Sequence, residues 1–388
     1  MSRYHSYLNS AEKILTNYSG KEPFSIHLKA FFKANKKYGS RDRRQVSHLC
    51  YCYFRLGKMA QSKAISERVL MGLFLCSSET NPILEEIKPE WVDSVSLTVK
   101  EKLGFLKEEC LITDVFPWKD ELSEEIEFEP FCASFFEQPK LFIRMRPNHE
   151  KNVLSKLGKE QFSFERVSDA CISLPNGTRL DDTIQLNKVA VVQDYNSQMV
   201  GELLEKGLYK ENAKVWDCCA GSGGKSIMAF DLNPKIKLSV SDIRVSILAN
   251  LKKRFNDAGI SGYKDFVVDL SVPNAVQGDG SFDLVMADVP CTGSGTWGRT
   301  PEQLYYFEKN KISEYVSLQR KIVANVVPKI KENGFLLYIT CSAFREENED
   351  NIQFFKEHLG LEVEESSLLK GYDKNADTMF VALLRKVE

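Results

Sequence analysis

The sequence predicts an α/β protein: a doubly wound, mostly parallel sheet preceded by an all-helical domain and a small α/β unit. Three observations carry this. From Tyr4 to about Phe136 apolar residues recur at helical spacing, as in "SKAISERVLMGLFLC", with sparse β-branched alternation. After "EQP" the pattern turns to short strand-like runs. From Val191 onward strand-like and helical segments alternate, as expected of parallel βαβ units with right-handed crossovers. The boundaries fall at 1–138 for the helical domain, 139–190 for the small α/β linker domain and 191–388 for the sheet domain.

In the helical domain the charge is uneven. Residues 1–70 carry 14 Lys and Arg against 4 Asp and Glu, whereas residues 71–138 carry 5 against 16. A basic face suits a polyanion, because phosphate neutralisation dominates nucleic-acid affinity, and a solvated helical surface explains the same count equally well. The small unit begins with a candidate strand, "KLFIRMR" (140–146), followed by a short helix, "HEKNVLSKLG", and two more strand-like runs, "FSFERV" and "ACISL".

In the sheet domain strands are read at "KVWD" (ending Asp217), "KLSVSD" (ending Asp242), "FVVD" (ending Asp269), "FDLVMAD" (ending Asp288), "FLLYIT" (ending Thr340) and "MFVALL" (Met379–Leu384). In an open parallel sheet the ligand lies outside the carboxyl ends of the strands, so Asp217, Asp242, Asp269 and Asp288 line one crevice. A single strand-end Asp is more often a helix cap or turn residue. Four in register with a glycine turn point to a site.

Composition narrows the class. A chain of 388 residues that is 43% hydrophobic forms real cores. Neither a secretory start nor an apolar run of membrane-spanning length is present, which predicts a soluble, cytoplasmic protein with no membrane partner. The ten cysteines form no disulfide framework and read as reduced thiols. Neither "CYC" nor Cys218-Cys219 has zinc-ligand spacing, so no metal is expected.

"WDCCAGSGGKS" (216–226) offers two cofactor readings. A triphosphate loop needs a glycine where Cys219 stands, so that reading fails. Gly221-x-Gly223 after a strand, with Asp242 about 20 residues on, suits a dinucleotide whose ribose the acid would hold, although the third glycine position is Ser226. S-adenosylmethionine has the same ribose and adenine without the pyrophosphate. Gly221, Gly223 and Gly224 let the backbone approach either ligand closely. The turn alone leaves both open.

"ADVPCTGSGTWGRTPE" (287–302) and "YITCSAFREENE" (338–349) each place a cysteine just after a strand of the same sheet. An isolated cysteine there is usually a small buried hydrophobe. Two beside Asp288 and a glycine turn suit a particular chemistry. Carbon 5 of cytosine is too electron-poor to attack a methyl sulfonium until a nucleophile adds at carbon 6. A thiolate is soft and leaves readily, but an unperturbed thiol, with pKa about 8.5, needs help to ionise at neutral pH. An acid such as Asp288 hydrogen-bonds the ring as charge builds, and a second group assists loss of the carbon-5 proton. The chemistry does not say which thiol is which.

On these stretches the chain resembles the RsmB-type (Sun/Fmu) family of S-adenosylmethionine-dependent RNA cytosine-5 methyltransferases. "VVQDYNSQMVGELL" resembles the opening of that family's catalytic domain, "DCCAGSGGKS" its cofactor loop, "SDIRVSILANLKKR" its ribose-binding turn, and the two cysteine stretches its paired motifs. "NKKYGSRDRRQVSHLCYCYFRLG" resembles a NusB-like RNA-binding domain. The resemblance implies a Rossmann-like class I methyltransferase domain with a mostly parallel seven-stranded sheet. It implies that Cys219, Ala220, Gly221, Ser222, Gly223, Gly224 and Lys225 contact the cofactor, with Asp242 on the ribose, Asp269 beside the adenine and Asp288 between methionine moiety and target base. It makes Cys341 the nucleophile and Cys291 the residue that promotes release. Where the family reads Ala-Ala-Pro-Gly-Gly-Lys, Gly221-Ser222 replace Ala-Pro, and a looser turn is expected.

The expectation is methylation of carbon 5 of a cytidine in RNA, 16S ribosomal RNA above transfer RNA, by a monomer. Lys36, Lys37, Arg41, Arg43 and Arg44 are the RNA-contact candidates. Trp297, Tyr305 and Tyr306 suit base stacking or core packing and stay outside the site. The rivals are a nicotinamide-dependent oxidoreductase and a non-catalytic RNA-binding assembly factor.

Overall fold

Ser2 caps the first helix of a computed structural model that describes residues 2–106, 110–276 and 282–387. Its side chain accepts from the His5 amide, and Tyr7, Leu8, Ala11, Ile14 and Leu15 form the buried stripe of α1 (Arg3–Thr16). The chain divides into two units, one gathering the residues up to Asp120 with Ile126–Gln138 and Thr296–Lys309, the other Glu121–Glu125, Pro139–Gly295 and the remainder from Asn310.

The first unit is helical: α1, α2 (Phe24–Ala34), α3 (Ser40–Arg55), α4 (Ile65–Cys76), α5 (Pro82–Ile87), α6 (Val99–Leu106) and α7 (Phe128–Ser134). Asp42 starts α3 by accepting from the Gly39 amide at 2.9 Å. At Gly72, on α4, a Cβ would lie 2.3 Å from the Cys52 carbonyl, so only glycine permits this approach to α3. Lys36, Lys37, Arg41, Arg43 and Arg44 are all exposed around the start of α3.

The same unit contains a piece of distant sequence. Thr296–Lys309, expected in the methyltransferase domain, packs among these helices together with its own helix, α13 (Pro301–Tyr306). Trp297 is fully buried against Phe307, Phe116 and Trp118, with ring centroids 4.7, 6.0 and 6.2 Å away. The Arg55 guanidinium donates to the Gly298 carbonyl at 2.9 Å, and Glu302 accepts from the Phe24 amide. Tyr305 lies against Arg68, and the Tyr306 hydroxyl donates to the Tyr18 carbonyl. Trp297 therefore lies in the helical core, while Tyr305, partly buried, and Tyr306, exposed, pack at its edge.

The second unit holds two sheets. The smaller is antiparallel, in the order β2 (Glu165–Arg166), β3 (Cys171–Leu174), β1 (Leu141–Met145), β4 (Ala190–Val192). α8 (Glu150–Lys159) covers it through Val153 and Leu157. The sequence sets 139–190 apart as a linker domain, but it shares a unit with the large sheet. Arg144, on β1, and Arg146, just after it, both reach Asp231 at 2.7 Å, with all three side chains nearly buried. Such a buried cluster offsets its desolvation only through multiple well-aligned bonds, and Arg146 adds one to the Ala258 carbonyl at 2.7 Å.

The larger sheet comprises β5 (Lys214–Asp217), β6 (Lys237–Asp242), β7 (Lys264–Val267), β8 (Phe282–Asp288), β9 (Ile330–Thr340), β10 (Leu361–Leu369) and β11 (Met379–Lys386), in the order β10-β11-β9-β8-β5-β6-β7. Neighbouring strands from β7 to β9 pair in parallel, while β11 is antiparallel to both its neighbours. This is the mostly parallel, seven-stranded sheet expected. "FVVD" ends its strand two residues early, at Val267, and leaves Asp269 in the following turn. α9 (Tyr195–Met199) and α10 (Gly201–Gly207) precede the sheet, α11 (Gly224–Leu232) and α12 (Val245–Ala258) follow β5 and β6, and α14 (Asn310–Val326) and α15 (Glu349–His358) flank β9. Among the described residues no helix is long and apolar enough to cross a membrane.

Candidate active site

Strand order reverses between β5 and β8, and ligands of open α/β sheets bind beyond the carboxyl ends at such a point. Asp217 ends β5, Asp242 ends β6 and Asp288 ends β8. The loop after β5 is bound to its neighbours through the backbone. The Cys218 amide donates to the Met286 carbonyl and the Ala220 amide to the Ser241 carbonyl, both at 2.9 Å. Gly221 (φ 52°) and Gly223 (φ 83°) take left-handed conformations, and Gly223 caps α11. A Cβ at Gly223 would lie 2.7 Å from Phe255, whereas at Gly221 or Gly224 it would meet nothing within 4 Å among the described residues. That open face beside the α11 amides is the space a close-lying cofactor requires.

The turn expected to be loose is pinned. Arg254, on α12, donates from Nη1 to the Ser222 carbonyl at 2.9 Å and to its hydroxyl at 2.7 Å, while its Nε donates to Asn187. The substitution of serine for proline supplies the hydroxyl that one of these bonds uses.

Asp242 accepts from the Gly221 amide at 3.0 Å and from the Arg244 amide at 2.9 Å. Burial would lift its pKa, but the bonds to Arg244 and Gly221 outweigh it and hold the carboxyl below its ordinary range. Asp269 is exposed, and its Oδ1 accepts from both the amide and the hydroxyl of Ser271, which also depresses its pKa. Asp217 lies beneath the loop, 1% exposed; Ser226 donates to its Oδ2 at 2.6 Å, and its Oδ1 finds no partner among the described residues. Burial pushes its pKa up to about 7.

Opposite the loop, Lys225 Nζ lies 2.7 Å from Asp288 Oδ2. Burial disfavours the Lys225 charge, yet Asp288 more than compensates and raises its pKa, with Cys341 also within electrostatic reach. Cys291 Sγ and Cys341 Sγ are 3.3 Å apart. They converge because β8 and β9 are parallel neighbours in register at Asp288 and Ile339, so each cysteine sits two or three residues beyond a paired position. The Gly295 amide then donates to the Cys341 carbonyl at 3.0 Å, joining the two loops. Contact with Cys341, then burial, pushes the Cys291 thiol well above its ordinary value, so Cys291 holds a proton at neutral pH.

Within electrostatic reach of Cys291 lies Glu347, a residue without a task in the sequence reading. It is fully buried and accepts from the Thr292 amide at 2.9 Å, the Gln319 amide group at 2.8 Å and the hydroxyls of Thr292 and Ser342. Within "FREENED" its surroundings are charged, and a charge run ordinarily marks a solvated turn. No group of three or more His, Cys, Asp or Glu suited to a metal ion occurs among the described residues.

The stretch that carries this site resembles known proteins. Residues 208–385 match the family described as 16S rRNA methyltransferase RsmB/F. Over that stretch, somewhat under half of its length, the chain is similar to the RsmB/F methyltransferase family. Over 239 residues the chain is 28% identical to ribosomal RNA small subunit methyltransferase B of Erwinia tasmaniensis, covering 57% of this chain and 52% of that protein. Over 165 residues it is 30% identical to the Yersinia enterocolitica protein of that name, covering 42% and 37%. The chain thus aligns with about half, or less, of the length of these RsmB/F relatives. Among solved structures, that of PH0851 superposes with a TM-score of 0.72 at 20% identity, over 99% of this chain and 98% of that one. NSun6 from Pyrococcus horikoshii, solved with SFG, gives 0.60 at 15% identity, over 70% and 97%. These two likenesses show the fold that the chain shares with them.

Proposed function

We propose that this chain methylates carbon 5 of a cytidine in RNA, with S-adenosylmethionine as cofactor and 16S ribosomal RNA as substrate. The observation that carries the reading is the 3.3 Å approach of Cys291 and Cys341 beside the Lys225–Asp288 pair. A hydride-transfer enzyme would leave those two sulfurs without a task. The cofactor name matches what the open glycine loop offers: Gly221 to Lys225 cradle it, Asp242 takes ribose hydroxyls, and Asp269 sits toward the adenine. When bound, S-adenosylmethionine supplies an electrophilic methyl group.

The residues of this chain supply the rest. Cys341, as thiolate, forms a bond to carbon 6, and the displaced electron pair moves into the ring toward carbon 5. Asp288 accepts from the exocyclic amine while Lys225 brings positive charge to the ring as electrons arrive. Once carbon 5 holds the methyl group, its proton is lost to solvent, the double bond re-forms and the carbon–sulfur bond breaks to return the Cys341 thiolate. Cys291 promotes this elimination. The assignment of Cys341 as nucleophile is supported by charge: Lys225 lies within reach of Cys341, whereas Glu347 lies within reach of Cys291.

Incubation with S-adenosylmethionine and 16S ribosomal RNA transcribed in vitro, followed by bisulfite sequencing, should reveal 5-methylcytidine at a discrete position. RNA that stays unmethylated, both naked and within precursor particles, would sink the reading. The Cys291→Ala protein should accumulate a covalent protein–RNA species seen as a shifted band in denaturing gels, and bound RNA without that band would remove Cys291 from the release step.

A further inference from the structure

We propose that Glu347 is a positioning residue for the thiol pair, one buried carboxylate that ties the residue after Cys291 to the residue after Cys341 and sets the two sulfurs to different tasks. The inference rests on the methyltransferase reading for its purpose and on geometry for its content. Thr292 and Ser342 are the immediate successors of the two cysteines, and both donate hydroxyl protons to Glu347 Oε2. The Thr292 amide and the Gln319 side chain fill Oε1. Four donors converge on a carboxyl with no exposed surface; they oppose the burial that still lifts its pKa, and several of them would be left unpaired if the acid were removed.

The neighbouring contacts show what those bonds hold. Ser294 Oγ accepts from the Ala343 amide at 2.8 Å, and Tyr338 donates to the Glu347 carbonyl at 2.8 Å, so the carboxylate is the centre of a seam between the β8 and β9 loops. Around the sulfurs this gives an uneven field. Glu347 faces Cys291, and the Lys225 ammonium, itself on Asp288, faces Cys341. An acid on one side and a cation on the other place the two sulfurs in different fields, and the Cys291 thiol is held well above its ordinary pKa. A turn acid that only stabilised the fold would not distinguish the sulfurs.

The test needs no RNA. Both cysteines are partly exposed, so timed iodoacetamide labelling with peptide mass spectrometry reads the reactivity of each in the whole protein. In the unaltered protein Cys341 should label faster than Cys291. Glu347→Gln keeps the size and removes the charge, and it should shrink that preference by about tenfold, the ratio one pKa unit represents. Methylation kcat should fall by about 10- to 100-fold with the RNA KM unchanged, as expected of displaced reacting groups. If Glu347→Gln does not fold, Thr292→Val removes one hydroxyl bond and should move the preference the same way by less. An unchanged preference in whichever variants fold overturns the proposal. Should the unaltered protein fail to methylate RNA while the labelling ratio responds as stated, the functional reading falls and the positioning role of Glu347 stands.

Discussion

On the thiol side of the crevice, Cys291 and Cys341 are held by buried side chains: Glu347, Thr292, Ser342 and Gln319 bond to one another with almost no solvent contact. On the cofactor-loop side, Gly221 to Lys225 are held by left-handed glycines, by Arg254 of α12 on Ser222, and by Asp242, itself paired with Arg244, on the Gly221 amide. A buried network fails as a unit when one member is lost, because the partners stay desolvated and unpaired. A backbone turn trimmed by partly exposed bonds loses them one at a time. Damage on the thiol side should therefore remove chemistry, and damage on the loop side should grade affinity.

The largest effect belongs to Cys341→Ala. Methyl transfer should fall by roughly 10³-fold or more, since a nucleophile that acts with its neighbours as one unit cannot be replaced by them. S-adenosylmethionine binding by calorimetry should stay within a factor of about two, because Cys341 follows β9 and lies outside the glycine loop after β5. Single-turnover assays with radiolabelled methyl donor measure the first quantity. Persistence of normal turnover would erase the contrast between the two sides.

Asp217 lies beneath the cofactor loop and gives the next effect, in stability. Its carboxyl ordinarily titrates near 3.8, and burial moves it to about 7 in the folded protein. Between those values the unfolded chain has released the proton and the folded one has not, so stability falls as pH rises and levels off above about 7. Between pH 5 and pH 8 the loss from this group is about 3 kcal/mol, two pH units up to the folded pKa at 1.36 kcal/mol per unit. Asp217→Asn should abolish that part of the slope in urea denaturation followed at both pH values. A variant as pH-sensitive as the parent would mean that Asp217 is ionised in the fold.

The same contrast governs what could be read from the sequence. Strand ends were legible because Asp217, Asp242 and Asp288 each close an apolar run, and two cysteines on adjacent parallel strands must converge once the register is fixed. β10 was missed because "LEVEESSLL" is an edge strand whose middle residues are exposed and polar, leaving no apolar alternation to detect. Trp297 and Leu304 looked like sheet-domain residues because sequence position carries no record of which core a side chain enters. Glu347 was hidden for the opposite reason, being a core residue placed within a charged run.

The smallest effect sharpens the comparison most. Arg254 holds Ser222 through a carbonyl and a hydroxyl, and the serine stands where the family pattern has proline. Ser222→Ala removes the hydroxyl bond alone, whereas Arg254→Ala removes both and frees a turn already committed to two positive φ values. S-adenosylmethionine affinity should weaken by about 2-fold in the first and about 5- to 10-fold in the second, as expected for charge-assisted hydrogen bonds worth about 1 kcal/mol once partly solvated. In the double variant the losses should not add, leaving a coupling of about 0.5 kcal/mol that marks the hydroxyl bond itself. Strict additivity by calorimetry would mean that Arg254 acts through Asn187, to which its Nε donates, and that the loop keeps its shape without help from the serine.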